Sequence, residues 1–156
     1  MIERPYEVDV HGGAAAGYHL DVVVINRSEA PLTVYEHALP WVGAQSMVLV
    51  AVRADAQGSV LDRALAPIDD PGAATVTVEP GGSVSGRTLL TPRFPGLTTA
   101  LRTHDVVVFW TYRLEPVGGH PLARTGGYVV FEASSSEVLA GQPGAEAQED
   151  GAGGGV

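Results

Sequence analysis

Five histidines carry the most versatile side-chain chemistry of this chain, and their spacing limits what that chemistry can be. They are His11, His19, His37, His104 and His120. No two of them stand in the HxH, HxxxH or HExxH spacings that place neighbouring ligands on one metal ion. Only His37 and His120 fall well within predicted loops, where an imidazole can bind a ligand or transfer a proton. These two side chains are therefore the candidates for any chemistry.

The first of these two loops is unusually apolar for a connection between strands. Its sequence, YEHALPW, supplies the candidate binding residues Tyr35, Glu36, His37, Leu39, Pro40 and Trp41. Tryptophan is enriched at the energetic centres of protein interfaces, so the segment predicts a contact patch that protrudes from the domain. The alternative is that Trp41 folds back and covers the open end of the core, where tryptophan is often found.

The composition removes several classes of chemistry. The chain has no cysteine, which excludes disulfides, zinc–thiolate sites, iron–sulfur clusters and cysteine nucleophiles. All 9 basic residues are arginine, so Schiff-base chemistry, pyridoxal anchoring and the P-loop lysine are excluded as well. The sequence therefore predicts no cofactor.

The balance of charge disfavours polyanionic partners. The formal net charge is −9 at pH 7, and no basic stripe is visible that would replace the counterions of a nucleic acid. The same balance disfavours an anionic membrane surface, and no apolar run approaches the roughly 18 residues of a transmembrane helix. The first residues, MIERPYEVDVHGG, lack the pattern of a secretory signal, so a cytoplasmic protein is expected.

Short apolar runs and period-two alternation dominate the sequence and predict β-strands. About eight or nine strands follow one another at a spacing of roughly ten residues, including a return strand at 60–64, and no segment has a sustained helical period. The pattern predicts an all-β, two-sheet antiparallel sandwich over residues 1–134, with a closed barrel as the alternative. Residues 135–156 are small, acidic and rich in glycine, which predicts a disordered tail.

Two of the predicted strands carry specific expectations about burial. The run MVLVAVRA at 47–54 is almost continuously apolar, which is typical of a strand buried on both faces. In the run DVVVFWTYRL, the side chains of Val108, Trp110 and Tyr112 share one parity. Because side chains alternate across a strand, we expect these three to face the core and Phe109 to face away from it.

The order of strands, the PGGS turn and the DVVVFWTYRL strand before a final hairpin resemble small immunoglobulin-like or fibronectin type III-like sandwiches. Bacterial intracellular proteinase inhibitors of the Bacillus type are one such group. The resemblance covers residues 6–133 and implies an immunoglobulin-like fold, in which the loop after the second strand and the loop before the last strand share one end. His37 and His120 would then approach each other with Glu36 nearby, and the three could bind a metal ion or do acid–base work.

Three functional hypotheses follow from these features. The first is a non-enzymatic module that binds a protein or peptide through loops at one end of the sandwich. The second is a small metal-binding protein or enzyme that uses His37, His120 and Glu36. The third is an adaptor that pairs an exposed edge strand with a partner, or with a second copy of the chain to form a homodimer.

Overall fold

Eight antiparallel β-strands make up most of the regular structure in the computed structural model, which describes residues 4–15, 17–43, 45–66 and 70–134. The strands are β1 (Tyr6–Gly13), β2 (His19–Asn26), β3 (Leu32–Tyr35), β4 (Met47–Arg53), β5 (Thr75–Val78), β6 (Ser83–Leu89), β7 (Val106–Tyr112) and β8 (Thr125–Phe131). The predicted all-β class is confirmed. The tail predicted at 135–156 lies outside the described residues.

Two three-stranded sheets form the sandwich, and a two-stranded sheet lies beside them. The strand orders are β1-β2-β6, β4-β7-β8 and β3-β5. Two helical segments connect strands, a 3-10 turn at Glu36–Ala38 and α1 at Leu97–Ala100. No helix in the described part of the chain is long and apolar enough to cross a membrane.

The core fills the space between the two larger sheets. It consists of the side chains that point inward from alternate positions of each strand. Tyr6 and Val22 enter it from the β1-β2-β6 sheet, and Leu49 enters it from β4. From β7, Val108, Trp110 and Tyr112 are buried, whereas Phe109 on the same strand is 46% exposed. The parity predicted for this strand is therefore confirmed.

Two predictions are wrong: that β4 is buried on both faces and that residues 60–64 form a strand. β4 is buried on one face only, because the side chains of Val48 and Val50 point to the outer face of the sheet, which no other described layer covers. No strand forms at 60–64. The chain makes one isolated bridge, between Val52 and Val60, and then leaves β4, so that the amide of Ala64 donates to the carbonyl of Arg93 at 2.8 Å.

Candidate functional site

An open groove of about 670 Å³ lies at one end of the sandwich and contains the side chain of His37. We call it the His37 groove. Its walls come from the 3-10 turn Glu36–Ala38, the start of β4, the segment 70–74 and the ends of the β7–β8 loop. The apolar part of its lining includes Ala38, Val42 and Val48, and the charged part consists of Glu36, Asp70, Arg113, Glu115 and Arg124.

The turn that carries His37 is fixed to the core by hydrogen bonds. The buried Tyr112 hydroxyl donates to the carbonyl of Ala38 at 2.9 Å, and the amide of Glu36 donates to the carbonyl of Ala74 at 2.8 Å. Burial raises the pKa of Tyr112 well above its usual range, so this hydroxyl remains a donor at neutral pH. Gly43 leaves room for the carbonyl of His37, since a Cβ at residue 43 would overlap it. The groove is thus built on a rigid support rather than on a free loop.

The His37 ring is oriented by two contacts. It stacks on the ring of Tyr35, with centroids 5.3 Å apart and planes inclined by 20°. Its Nδ1 lies 3.2 Å from the carbonyl oxygen of Gly72. A carbonyl only accepts hydrogen bonds, so Nδ1 carries the proton and Nε2 is the acceptor of the neutral ring. The ring is therefore held ready to bind a donor group of a ligand through Nε2.

Charges of both signs lie along the groove. The Arg113 guanidinium contacts the Glu115 carboxylate at 3.1 Å, and both side chains are largely exposed. Arg124 donates to the Thr111 hydroxyl at 3.2 Å, which places its guanidinium over the outer face of β7. Exposed ion pairs of this kind contribute little to stability, so Arg113 can exchange Glu115 for a ligand carboxylate at low cost.

The apolar residues of the predicted contact patch pack inward to different extents. The side chain of Leu39 is 2% exposed and belongs to the core, and Pro40 is buried with its carbonyl 3.3 Å from the Thr88 hydroxyl. Trp41 is half-buried, and its indole lies against Gly86 of β6. The turn instead directs Glu36 and His37 into the groove, because the apolar side chains that follow them pack inward.

The structure does not assemble the site expected from His37, His120 and Glu36, because His120 is not among the residues that line the His37 groove. Val34 of β3 pairs with Pro116 in an antiparallel bridge, and the amide of Val117 donates to the carbonyl of Thr33 at 2.8 Å. The chain then turns at residues 116–119, and the amide of Leu122 donates to the carbonyl of Leu114 at 2.9 Å, so His120 lies in the segment that returns from this turn. Across the described ranges, no group of three or more His, Asp or Glu side chains is arranged to hold a metal ion.

The hydroxyl group in the lining of the groove is not directed to His37. Ser46 is the hydroxyl residue of its lining, and its Oγ lies 2.7 Å from the carbonyl of Leu39 and 2.8 Å from that of Gly43. That hydroxyl is committed to the backbone of the turn, so its proton is not directed to His37. What the groove provides is one oriented imidazole, apolar side chains, and charged groups of both signs.

Sequence reasoning identified Glu36 and His37 but missed Arg113 and Val42. The position of Arg113 in the groove depends on pairing between β3 and the residues after β7, which are about eighty positions apart in the chain, whereas Val42 is placed locally by the bond from its amide to the carbonyl of Leu39. One signal was present for Arg113. It has the same parity as Phe109 in the DVVVFWTYRL run and therefore belongs to the outer face of that strand.

Comparison with known proteins gives structural neighbours but no family. No family model matches the chain, and no curated protein matches it. A putative ApaA protein from Bordetella pertussis aligns with 13% identity and a TM-score of 0.42, over 85% of this chain and 98% of the other. A protein from Archaeoglobus fulgidus aligns with 12% identity and a TM-score of 0.37, over 82% of this chain and 96% of the other.

Proposed function

We propose that this protein is a non-enzymatic binding module that recognises a segment of a protein or a peptide in the His37 groove. The observation that carries the proposal is the groove itself, which combines an oriented imidazole, apolar side chains and charged groups at one end of the sandwich. Binding sites for small segments are concave, with apolar walls and a few fixed polar groups that set orientation.

The lining indicates the chemistry of the ligand. Ala38, Val42 and Val48 suit a short apolar side chain. Arg113 suits a carboxylate, because a guanidinium binds carboxylates through two parallel hydrogen bonds. Nε2 of His37 suits a backbone amide or a hydroxyl, which donate to a neutral imidazole. The expected ligand is thus a peptide segment with an aliphatic residue beside an acidic one.

A peptide selection followed by calorimetry tests this proposal. A random peptide library displayed on phage would be selected against the purified protein, and the selected peptides titrated into the protein and its variants. We expect His37→Ala to weaken binding by about tenfold, which corresponds to about 1.4 kcal/mol. His120→Ala is the matched control, since it removes an exposed loop histidine that does not line the groove.

Two results would contradict the proposal. One is equal affinity of the selected peptides for the unmodified protein and for His37→Ala. The other is that both histidine variants lose affinity to the same extent, which would place binding outside the groove. Circular dichroism of both variants controls for loss of fold.

We also propose that the sandwich is related to immunoglobulin-like or fibronectin type III-like domains. The orders β1-β2-β6 and β4-β7-β8 correspond to strands A-B-E and C-F-G of such domains, with β3 and β5 as additions, and this correspondence supports the relationship. A likeness to intracellular proteinase inhibitors and a cytoplasmic location stay predictions.

A further inference from the structure

The outer face of the β4-β7-β8 sheet is apolar and exposed. Phe109 is 46% exposed and contacts Tyr128, which is 66% exposed, with ring centroids 6.2 Å apart. Six valines lie on the same face, which also includes Thr111 and Gly126 at one end; the valines are Val48, Val50, Val52, Val60, Val107 and Val130. We call the two aromatic residues and the six valines the outer apolar face.

The opposite sheet shows what a solvated outer face of this protein looks like. On the β1-β2-β6 sheet, Asp21 lies directly opposite Arg87 and contacts it at 2.8 Å. Glu7 and Arg27 form a second exposed ion pair at 2.8 Å. Strands with one face in water normally alternate in this way, whereas contiguous apolar surfaces mark interaction sites. The outer apolar face therefore has the character of a covered surface.

The charges around the outer apolar face are arranged symmetrically. Tyr128 pairs with Phe109 at its centre, and Phe109 pairs with Val50. Arg124 lies four positions before Tyr128, and Glu132 lies four positions after it. All three residues have the parity that points to the outer face. At a rise of about 3.4 Å per residue, the Cα atom of each charged residue lies about 14 Å from the centre, and the Arg124 guanidinium reaches back to the Thr111 hydroxyl at 3.2 Å. The face thus has a basic end and an acidic end at equal distances from its middle.

The same arrangement recurs on the neighbouring strand. Arg113 lies four positions after Phe109 and Asp105 lies four positions before it, and both are exposed. Arg113 contacts Glu115 at 3.1 Å and Asp105 accepts a hydrogen bond from the amide of Ala133 at 2.7 Å, so each would exchange or share a surface contact in the dimer. Continued beyond its last pairs, the register of β7 and β8 sets Arg113 beside Arg124 and Asp105 beside Glu132. A rotation by 180° about the row Val50–Phe109–Tyr128 therefore exchanges the basic end with the acidic end.

We propose that two copies of this chain associate through their outer apolar faces, with strands antiparallel across a two-fold axis that runs along the row Val50–Phe109–Tyr128. In this arrangement, Arg124 of each copy faces Glu132 of the second copy, and Arg113 faces Asp105. A two-fold interface requires a surface that complements itself, and this face meets that requirement in both apolar character and charge. The proposal does not depend on the His37 groove binding a ligand.

The size of the face fits a dimer of modest affinity. The three strands and the bridged segment at Val60 give four strand positions across the face, at about 4.8 Å each. Nine residues of β7 and its flanks at about 3.4 Å each set the length. The footprint is roughly 19 by 30 Å, so the two copies would bury about 1,100 Å² together, which exceeds the roughly 1,000 Å² expected of a biological interface.

A second copy fits the face better than the remaining part of this chain does. Residues 135–156 contain only Val138, Leu139 and Val156 as large aliphatic side chains, and they carry four carboxylates and no arginine. Three aliphatic side chains cannot cover a face of eight apolar residues. The two-fold symmetry of the charges is also a property that only a second copy would use.

Sedimentation equilibrium of the full chain tests the proposal between about 1 and about 500 μM, a range that brackets the weak affinity expected from so small an interface. We expect the average mass to rise with concentration toward that of a dimer. Phe109→Glu is expected to abolish the rise. Leu89→Glu is the matched control, because Leu89 is a strand residue that is 47% exposed on the other sheet, and the rise should persist in it.

A charge exchange tests the antiparallel arrangement. Arg124→Glu and Glu132→Arg are each expected to weaken self-association at least tenfold, because each places like charges together at both ends of the interface. An equimolar mixture of the two variants should restore association, since each basic end then meets an acidic end.

Several outcomes would overturn the proposal. A full chain that remains a monomer at all these concentrations would refute the proposal. Coverage of the outer apolar face by residues 135–156 would give that same result. Dimers that persist in Phe109→Glu would place the contact elsewhere, for example at an edge strand. Failure of the mixed charge variants to associate would refute the antiparallel two-fold arrangement.

Discussion

Replacement of Gly86 by alanine is the perturbation that most sharply probes how the His37 loop joins the core. The indole of Trp41 occupies the space that a Cβ at residue 86 would need, and the overlapping atoms are ring atoms next to its Cβ rather than the far end of a flexible chain. Gly86 lies within β6 and pairs with Val22, so the backbone has little freedom to move away. Gly86→Ala must therefore displace the Trp41 ring.

The magnitude follows from two opposing effects. Added volume in a packed site costs about 1–3 kcal/mol, and alanine regains about 0.5–1 kcal/mol relative to glycine within a strand. We expect Gly86→Ala to lower the free energy of unfolding by about 1–2 kcal/mol. Truncation of a fully buried tryptophan costs about 3–5 kcal/mol, so Trp41→Ala, which removes a half-buried ring, should cost about 2 kcal/mol.

The double variant isolates the contact itself. Once Trp41 is alanine, the methyl group of Gly86→Ala no longer meets the ring, so the second substitution should stabilise the fold by about 0.5–1 kcal/mol. The coupling free energy should then be about 1.5–3 kcal/mol, which exceeds the usual deviation from additivity. Urea unfolding followed by circular dichroism is the suitable assay, because Trp41 is one of only 2 tryptophans and its loss would alter fluorescence. Additive effects of the two substitutions would refute the packing of Trp41 on Gly86.

Three further expectations concern stability and the support of the groove. Trp110→Ala should lower the free energy of unfolding by about 3–5 kcal/mol in urea, because Trp110 is a core residue. Tyr112→Phe should cost about 0.5–1.5 kcal/mol by removing the bond to Ala38 and should weaken peptide binding in the same calorimetric assay. Burial raises the pKa of Tyr6 and of Tyr112 above 10.0, so thermal melts should show stability that is complete below pH 10.0 and declines above it.

Alternation within single strands was sufficient to predict most of the fold. The burial of Val108, Trp110 and Tyr112 follows from residues only two positions apart. The apolar run of β4 was misread because periodicity cannot distinguish a strand buried between two layers from a strand that has one exposed apolar face. The error itself points to the outer apolar face.

The candidate site was only partly predictable, because it depends on pairing between distant segments. The loop sequence indicated Glu36 and His37 as exposed polar groups. It could not show that His120 stays outside the lining of the groove, because this depends on the bridge between Val34 and Pro116 and on the turn that follows it. Nor could it show that Leu39 belongs to the core, since an apolar loop residue has the same identity whether it packs inward or binds a partner.

Mapping of backbone amide shifts by NMR tests the central claim, which is that the His37 groove is the binding site. ¹⁵N-labelled protein would be titrated with a peptide selected against it. The account expects the largest shift changes at Glu36, His37 and Ala38 and at Ser46, with little change in the turn at 55–59, which lies at the opposite end of β4. Shift changes centred on that opposite end, with the groove amides unaffected, would contradict it.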